Sequence, residues 1–187
     1  MKSSTPVLVA VLAIAVLCGC TQKDPVVIPE PEPSSAPIFE SDEEALAAAE
    51  VAYGEYLKVS NEITADGGEG AERIEPLVSE AYFESAAAGF RSYQTDGLRT
   101  EGTTSLGSAQ LQQREDQGNR SAHIVVYACV DISRIRVFNS VNEDVSPANK
   151  QAPVPFELDF EATRANNQID IRLNGSELWN GATFCTE

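Results

Sequence analysis

Cys18 and Cys20, separated by a single glycine, are half of the chain's four cysteines. That spacing admits three chemistries: half of a disulfide, a clip on a metal, or a thiol that the cell modifies. A zinc clip is short of ligands, because structural zinc takes about four Cys or His donors and the chain has one histidine, His123, and no second close cysteine pair. Cys129 and Cys185 stand alone. A nucleophilic thiol needs a basic neighbour to lower its pKa, and none is recognisable beside either. His123 could act as a general base, with Tyr53, Tyr56, Tyr127 and Asp131 as further pocket residues. A lone histidine at a strand start is more often a surface or satisfied structural residue than a catalytic one. Trp179, in ELWNG, either anchors the C-terminal segment by packing or stacks on a ligand. No hydrolase triad and no metal-ligand spacing is present, so the sequence assigns no catalytic residue, metal or cofactor.

The segment before Cys20 decides among its chemistries. Lys2 is followed by the apolar run PVLVAVLAIAVL from Pro6 to Leu17, about a dozen residues, which is signal-peptide length and short of the ~20 that span a bilayer. Its ending, LCGC, resembles the bacterial lipobox, where an aliphatic residue and two small ones precede an invariant cysteine. The resemblance implies that residues 1–19 are a lipoprotein signal peptide, that Cys18 leaves with it, and that Cys20 becomes the diacylglyceryl-modified N-terminus. An ordinary secretory signal ending in cysteine, or a short buried helix, are the alternatives. Each buried CH₂ contributes ~0.8 kcal/mol, so one acyl chain binds marginally whereas two hold stably. The mature chain is expected on the extracytoplasmic face of the cell membrane, attached through lipid alone.

Residues 21–40, TQKDPVVIPEPEPSSAPIFE, fit a tether. Pro29, Pro31 and Pro33 alternate with acids, which favours an extended polyproline-like spacer reaching on the order of 60 Å. The chain carries 29 acidic and 13 basic residues, a formal charge of −16. Lys2 is the one charged residue before Cys20, so the mature part sets 12 bases against 29 acids, or −17. Such a surface repels nucleic acid and anionic lipid head groups, and no basic stripe interleaved with aromatics appears. A cationic ligand would suit it, as would solubility alone.

Residues 41–187 are long enough for one domain with a real core. Ser41 and Glu44 have capping-box spacing, and Leu46, Ala49, Tyr53, Tyr56, Leu57, Ser60 and Ile63 follow at helical spacing, predicting a helix to about Ala65 stopped by Gly67 and Gly68. A short turn over 71–75, ended by Pro76, leads to a second helix over 79–94 with Phe83, Ala86, Phe90 and Tyr93 on one face. The second half reads as sheet. Arg99 to Gln113 is a weak strand interrupted by Gly102 and Gly107, and 122–137 is a β-rich run bent near 131–133. His123 falls in phase there with Val125, Tyr127, Cys129 and Asp131. Both faces of the run are mostly apolar, so alternation does not say which one is inward. Residues 139–153 form a polar loop. Phe156, Leu158 and Phe160, then Ile169, Ile171 and Leu173, alternate with polar residues about Asn166-Asn167, an antiparallel hairpin with one dry face and one solvated, acidic face. An exported domain left with two cysteines can oxidise them, so Cys129 and Cys185 are expected to form one bridge pinning the tail to the sheet, with free thiols as the alternative.

Helices followed by a bent antiparallel sheet resemble the cystatin-like cone of the nuclear-transport-factor-2-like superfamily. The lipobox, the Pro/acid linker and the stretches AAAEVAYGEYLKVSNEI, GLRTEGTTSL, YACVDIS and ELWNGATFC resemble small uncharacterised Gram-positive lipoproteins of that fold. The resemblance implies an α+β cone with a cavity between helices and concave sheet, and sheet-mediated homodimers. Two functions follow from it. One is a non-catalytic envelope module that binds a small molecule, a wall polymer or another envelope protein. The other is a pocket enzyme of isomerase, dehydratase or cyclase type using a general acid/base. Fold-level likeness does not choose between them.

Overall fold

The structure is a computed structural model that describes residues 36–149, 152–181, 184 and 185. Cys20, the apolar segment before it and the linker to residue 35 lie outside the described residues. Helix α1 (Asp42–Ala65) starts where a hydroxyl can satisfy a free backbone N–H: Ser41 accepts from the Glu44 N–H at 3.2 Å. The Glu44 carboxylate reaches back one residue further than a standard capping box, accepting from the Glu40 N–H at 2.6 Å. Asp42, Glu43 and Glu44 in the first turn complement the helix dipole. Ala45, Ala49, Tyr53 and Leu57, four apart, carry the buried stripe.

The turn after α1 needs glycine at one point above all. Gly68 has φ +85°, and a Cβ there would lie 2.2 Å from the Phe90 carbonyl oxygen, so α1 can end against α2 only because this residue has no side chain. A 3₁₀ turn, Ala71–Leu77, connects the helices. It runs past Pro76, which was expected to end it; a proline near the end of so short a turn removes no long helical ladder. Helix α2 (Glu80–Asp96) is capped by Ser79, whose Oγ accepts from the Tyr82 N–H at 3.1 Å, and it closes on Gly97 at φ +64°.

The long sheet is antiparallel in the order β2 (Ser105–Gly118), β3 (Ser121–Asp131), β5 (Val154–Ala165), β6 (Gln168–Leu178). A small pair, β1 (Arg99–Glu101) and β4 (Arg136–Phe138), stands beside it. The weak strand expected over 99–113 is therefore two strands. At Gly102, φ +95°, a Cβ would sit 2.1 Å from the Arg134 carbonyl oxygen, so the chain turns there and restarts as β2, which runs on to Gly118. Both long hairpins turn on residue pairs with positive φ, Asn119-Arg120 and Asn166-Asn167; that is the twist-matched two-residue hairpin, which asparagine tolerates better than most residues. Three register shifts in β2, one of them at Gly107, bend the sheet.

The core lies on the face that the helices cover. Ile124, Val126, Ala128 and Val130 of β3 meet Leu158, Phe160 and Ala162 of β5, all at most 2% exposed. Packing starts ahead of Ser41: Ile38 and Phe39 are buried at 2% and 1%. The carbonyl of Ile38 accepts from the Arg164 guanidinium, and that of Phe39 from Arg114 Nη1 at 3.4 Å. Two arginines of the sheet thus hold the chain as it enters the domain. The fold class is α+β, as expected.

Candidate functional site

Strand β3 divides the five pocket candidates between two faces. Ala122, Ile124, Val126 and Ala128 are buried beneath the helices, so His123, Tyr127 and Asp131, which alternate with them, point to the outer face. Tyr53 and Tyr56 lie on the inner side. The Tyr53 ring stacks on Tyr56 at 5.9 Å and meets Phe160 edge-on at 6.5 Å. Burial, foremost, pushes the Tyr53 phenol well above its ordinary range, and a hydrogen bond with Ser176 offsets only part of that. Burial likewise pushes Tyr56 up to about 12. Both phenols are neutral near pH 7 and pack within the core side, so no single pocket contains all five residues.

On the outer face the structure assembles a polar chain that was not readable in the sequence. His123 Nε2 lies 2.6 Å from Asp159 Oδ2. Asp159 Oδ1 accepts from Asn174 Nδ2 at 3.0 Å, and Asn174 Oδ1 accepts from the Ser79 hydroxyl at 2.6 Å. Register explains each step. Asp159 sits opposite Val125, one diagonal step from His123 across the strands. Between the pairs Asp159–Gly175 and Phe160–Leu173, Asn174 is the extra residue of a bulge, which re-aims its side chain. Ser79 arrives because its N–H donates to the Leu173 carbonyl at 2.9 Å. Gly175 beside Asn174 was the sequence signal for that bulge; nothing in the sequence pointed to Ser79.

This chain includes serine, carboxylate and histidine, but in an order that does not activate a nucleophile. An activated serine must hydrogen-bond the imidazole directly, whereas the Ser79 hydroxyl reaches His123 only through Asn174 and Asp159. Ser79 is 4% exposed and already accepts from the α2 backbone, so its evident work is to tie the α2 N-terminus to the outer face.

Tyr127 and Asp131 have their own structural duties. Tyr127 is covered by the C-terminal segment: its ring lies 4.5 Å from Trp179 and 5.2 Å from Phe184. The Trp179 N–H donates to the Pro155 carbonyl at 3.0 Å, and a disulfide joins Cys129 to Cys185, with their Cα atoms 5.5 Å apart. The expected bridge is present, and with Trp179 and Phe184 it holds the C-terminal segment as a strap against the outer face rather than stapling the helix-covered core. The Asp131 carboxylate accepts from the Ser133 N–H at 2.8 Å, and that hydrogen bond with the one from the Ser133 hydroxyl holds it below the ordinary carboxylate range. It caps the turn that ends β3. Among the described residues no group of three or more His, Cys, Asp or Glu is placed to hold a metal ion, and no helix is long and apolar enough to cross a membrane.

No family model and no curated protein matches the chain. Among solved structures the chain is similar to the crystal structure of the intermembrane space region of chloroplast protein ARC6, with a TM-score of 0.48 and 9% identity, over 71% of this chain and 95% of that one. Likeness at that level carries no functional argument.

Proposed function

We propose that this chain is a lipoprotein of the cell envelope, tethered through Cys20 to the extracytoplasmic face of the cell membrane, whose domain binds a small molecule or an envelope protein without catalysis. The observation that carries the reading is the occupation of its polar groups. His123 is bound to Asp159, Ser79 to Asn174 and to the α2 backbone, and Tyr53 and Tyr56 are packed beneath the helices. Residues expected of an acid/base enzyme thus serve as ties and core, which supports a module over an isomerase-like pocket. The lipid anchor is supported by the LCGC ending and the Pro/acid linker, and the nuclear-transport-factor-2-like membership by helices preceding a bent antiparallel sheet. Homodimers that met through the outer face would set Glu115, Glu157 and Glu161 against their counterparts, which disfavours that mode.

The test is mass spectrometry of the protein extracted from its own type of host. The N-terminal peptide is expected to begin at Cys20 with a diacylglyceryl mass, and the native protein to carry extra mass that denaturation removes. An unmodified Cys20 in protein released to the medium would overturn the tether. Steady turnover of a carbonyl substrate, abolished by His123→Ala, would overturn the non-catalytic reading.

A further inference from the structure

We propose that the cleft between the C-terminal ends of α1 and α2 and the loop after β4 is a saccharide-binding site. This deepens the binding-module reading and rests on it. The cleft is open to solvent and has a volume of about 430 Å³, a size that suits a sugar unit or two among ligand pockets of ~300–1,000 Å³. It lies at the end of the domain where Gly67 and Gly97 close the two helices, away from the His123 chain and from the helix–sheet interface. Both glycines have positive φ, which favours glycine, and at Gly97 a Cβ would come within 3.2 Å of the Ser140 side chain, so a side chain there would crowd the loop.

The lining selects the ligand class. Tyr93 supplies an aromatic wall, and Gln94, Ser140 and Asn142 supply neutral hydrogen-bonding groups. Among the described residues the Gln94 amide, the Tyr93 and Ser140 hydroxyls and the Asn142 side-chain nitrogen have no protein partner. The two charges at the cleft are already neutralised: Asp66 by Arg73 at 2.9 Å, and Arg99 by Glu101 at 2.9 Å. A chain of net charge −16 does not draw anions to that arginine, and no carboxylate of the cleft is left unpaired for a cation. An aromatic face beside dense neutral donors and acceptors, with no net charge, matches a ligand made of C–H faces and hydroxyls.

The walls are fixed in advance, which keeps the ordering cost of binding low. Asn139 Oδ1 accepts from the N–H groups of Val141 and Glu143 at 3.1 and 2.9 Å, and Asn139 Nδ2 donates to Glu143. Asn142 Oδ1 accepts from Arg99 Nη2 at 2.5 Å, and the Arg99 Cζ lies over the Phe138 ring, 4.7 Å from its centroid. Asp144 ties the far side of the loop to Arg136 at 2.7 Å.

The experiment is a titration of the full chain, isotope-labelled, with maltotriose, chitotriose and inorganic phosphate in turn, read by backbone amide shifts. One of the oligosaccharides is expected to give saturable shifts at Gly97, Ser140 and Asn142. Gln94→Ala, at an exposed helix position, and Asn142→Gly, which keeps the left-handed φ of +65°, should each weaken the dissociation constant about fivefold, one hydrogen bond's worth. Absence of cleft shifts with both sugars, or shifts with phosphate alone, overturns the proposal. Saturable sugar shifts confined to the outer face would overturn the cleft while leaving the binding module standing; no bound mass in the native protein together with no sugar response would sink both.

Discussion

Removing the strap's covalent anchor separates what the bridge holds from what the core holds. In Cys185→Ser the 56-residue separation between the bridged cysteines becomes free to expand in the unfolded chain. The loop-entropy relation gives roughly 14 cal/mol/K for that length, or about 4 kcal/mol at room temperature. With a urea slope of about 2 kcal/mol/M for a domain of this size, the midpoint should fall by about 2 M. The native fold should nonetheless survive, because the core residues Ile124, Val126, Leu158 and Phe160 face the helices while the strap crosses the opposite face. Trp179 is the only tryptophan and packs at a tilt against Tyr127 within the strap, so its fluorescence reports strap release and far-UV circular dichroism reports the fold. The expected result is red-shifted emission in buffer with an unchanged dichroism spectrum, and a midpoint about 2 M lower. An unshifted emission and a midpoint within about 0.3 M of the parent would refute the strap; a variant already unfolded in buffer would refute the independence of the core.

Ser79→Ala should cost about 2–3 kcal/mol, since it removes an N-cap and leaves the half-buried Asn174 carbonyl without its donor. His123→Ala should cost under about 1 kcal/mol because the His123–Asp159 pair is part exposed, and equal losses in chemical denaturation would contradict this ordering. Gly68→Ala should destabilise by more than about 3 kcal/mol, as a methyl group at positive φ meets the Phe90 carbonyl; a thermal midpoint unchanged from the parent would show that α1 can end elsewhere. Tyr53, Tyr56, Tyr82 and Tyr93 all have raised pKa values, first through burial. Their folded values lie above the unfolded value of about 10, so their contribution is complete below pH ~10 and is lost as pH rises through the folded values, about 12 for Tyr56. Tyrosinate absorbance should therefore appear together with loss of dichroism in a base titration, and full ionisation at pH ~10 in a folded protein would contradict it.

Local chemistry fixed much of this molecule before any packing is considered. Ser41, Glu44, Ser79 and Gly97 bound the helices through hydrogen bonds within a few residues, and Asn166-Asn167 sets a hairpin through its own backbone preference. Those signals are short-range, so they are legible along the chain, as is the lone pair of cysteines available to each other after residue 20. Gly102 was legible as a break but not as a turn, because its need for glycine comes from Arg134, thirty-odd residues away. The entry residues Ile38 and Phe39 sit in a proline-rich stretch, and only Arg114 and Arg164, from distant strands, show that they belong to the core. Alternation in β3 gave two nearly equivalent apolar faces, because on the outer one Cys129 is buried and Val125 and Tyr127 are part covered, Tyr127 by Trp179 and Phe184, while the helices bury the inner one fully. Which face His123 joins, and that Asp159, Asn174 and Ser79 meet it, depends on cross-strand register and one bulge. A period-two pattern is the same for a strand and for its mirror assignment, so only the tertiary packing could break the tie.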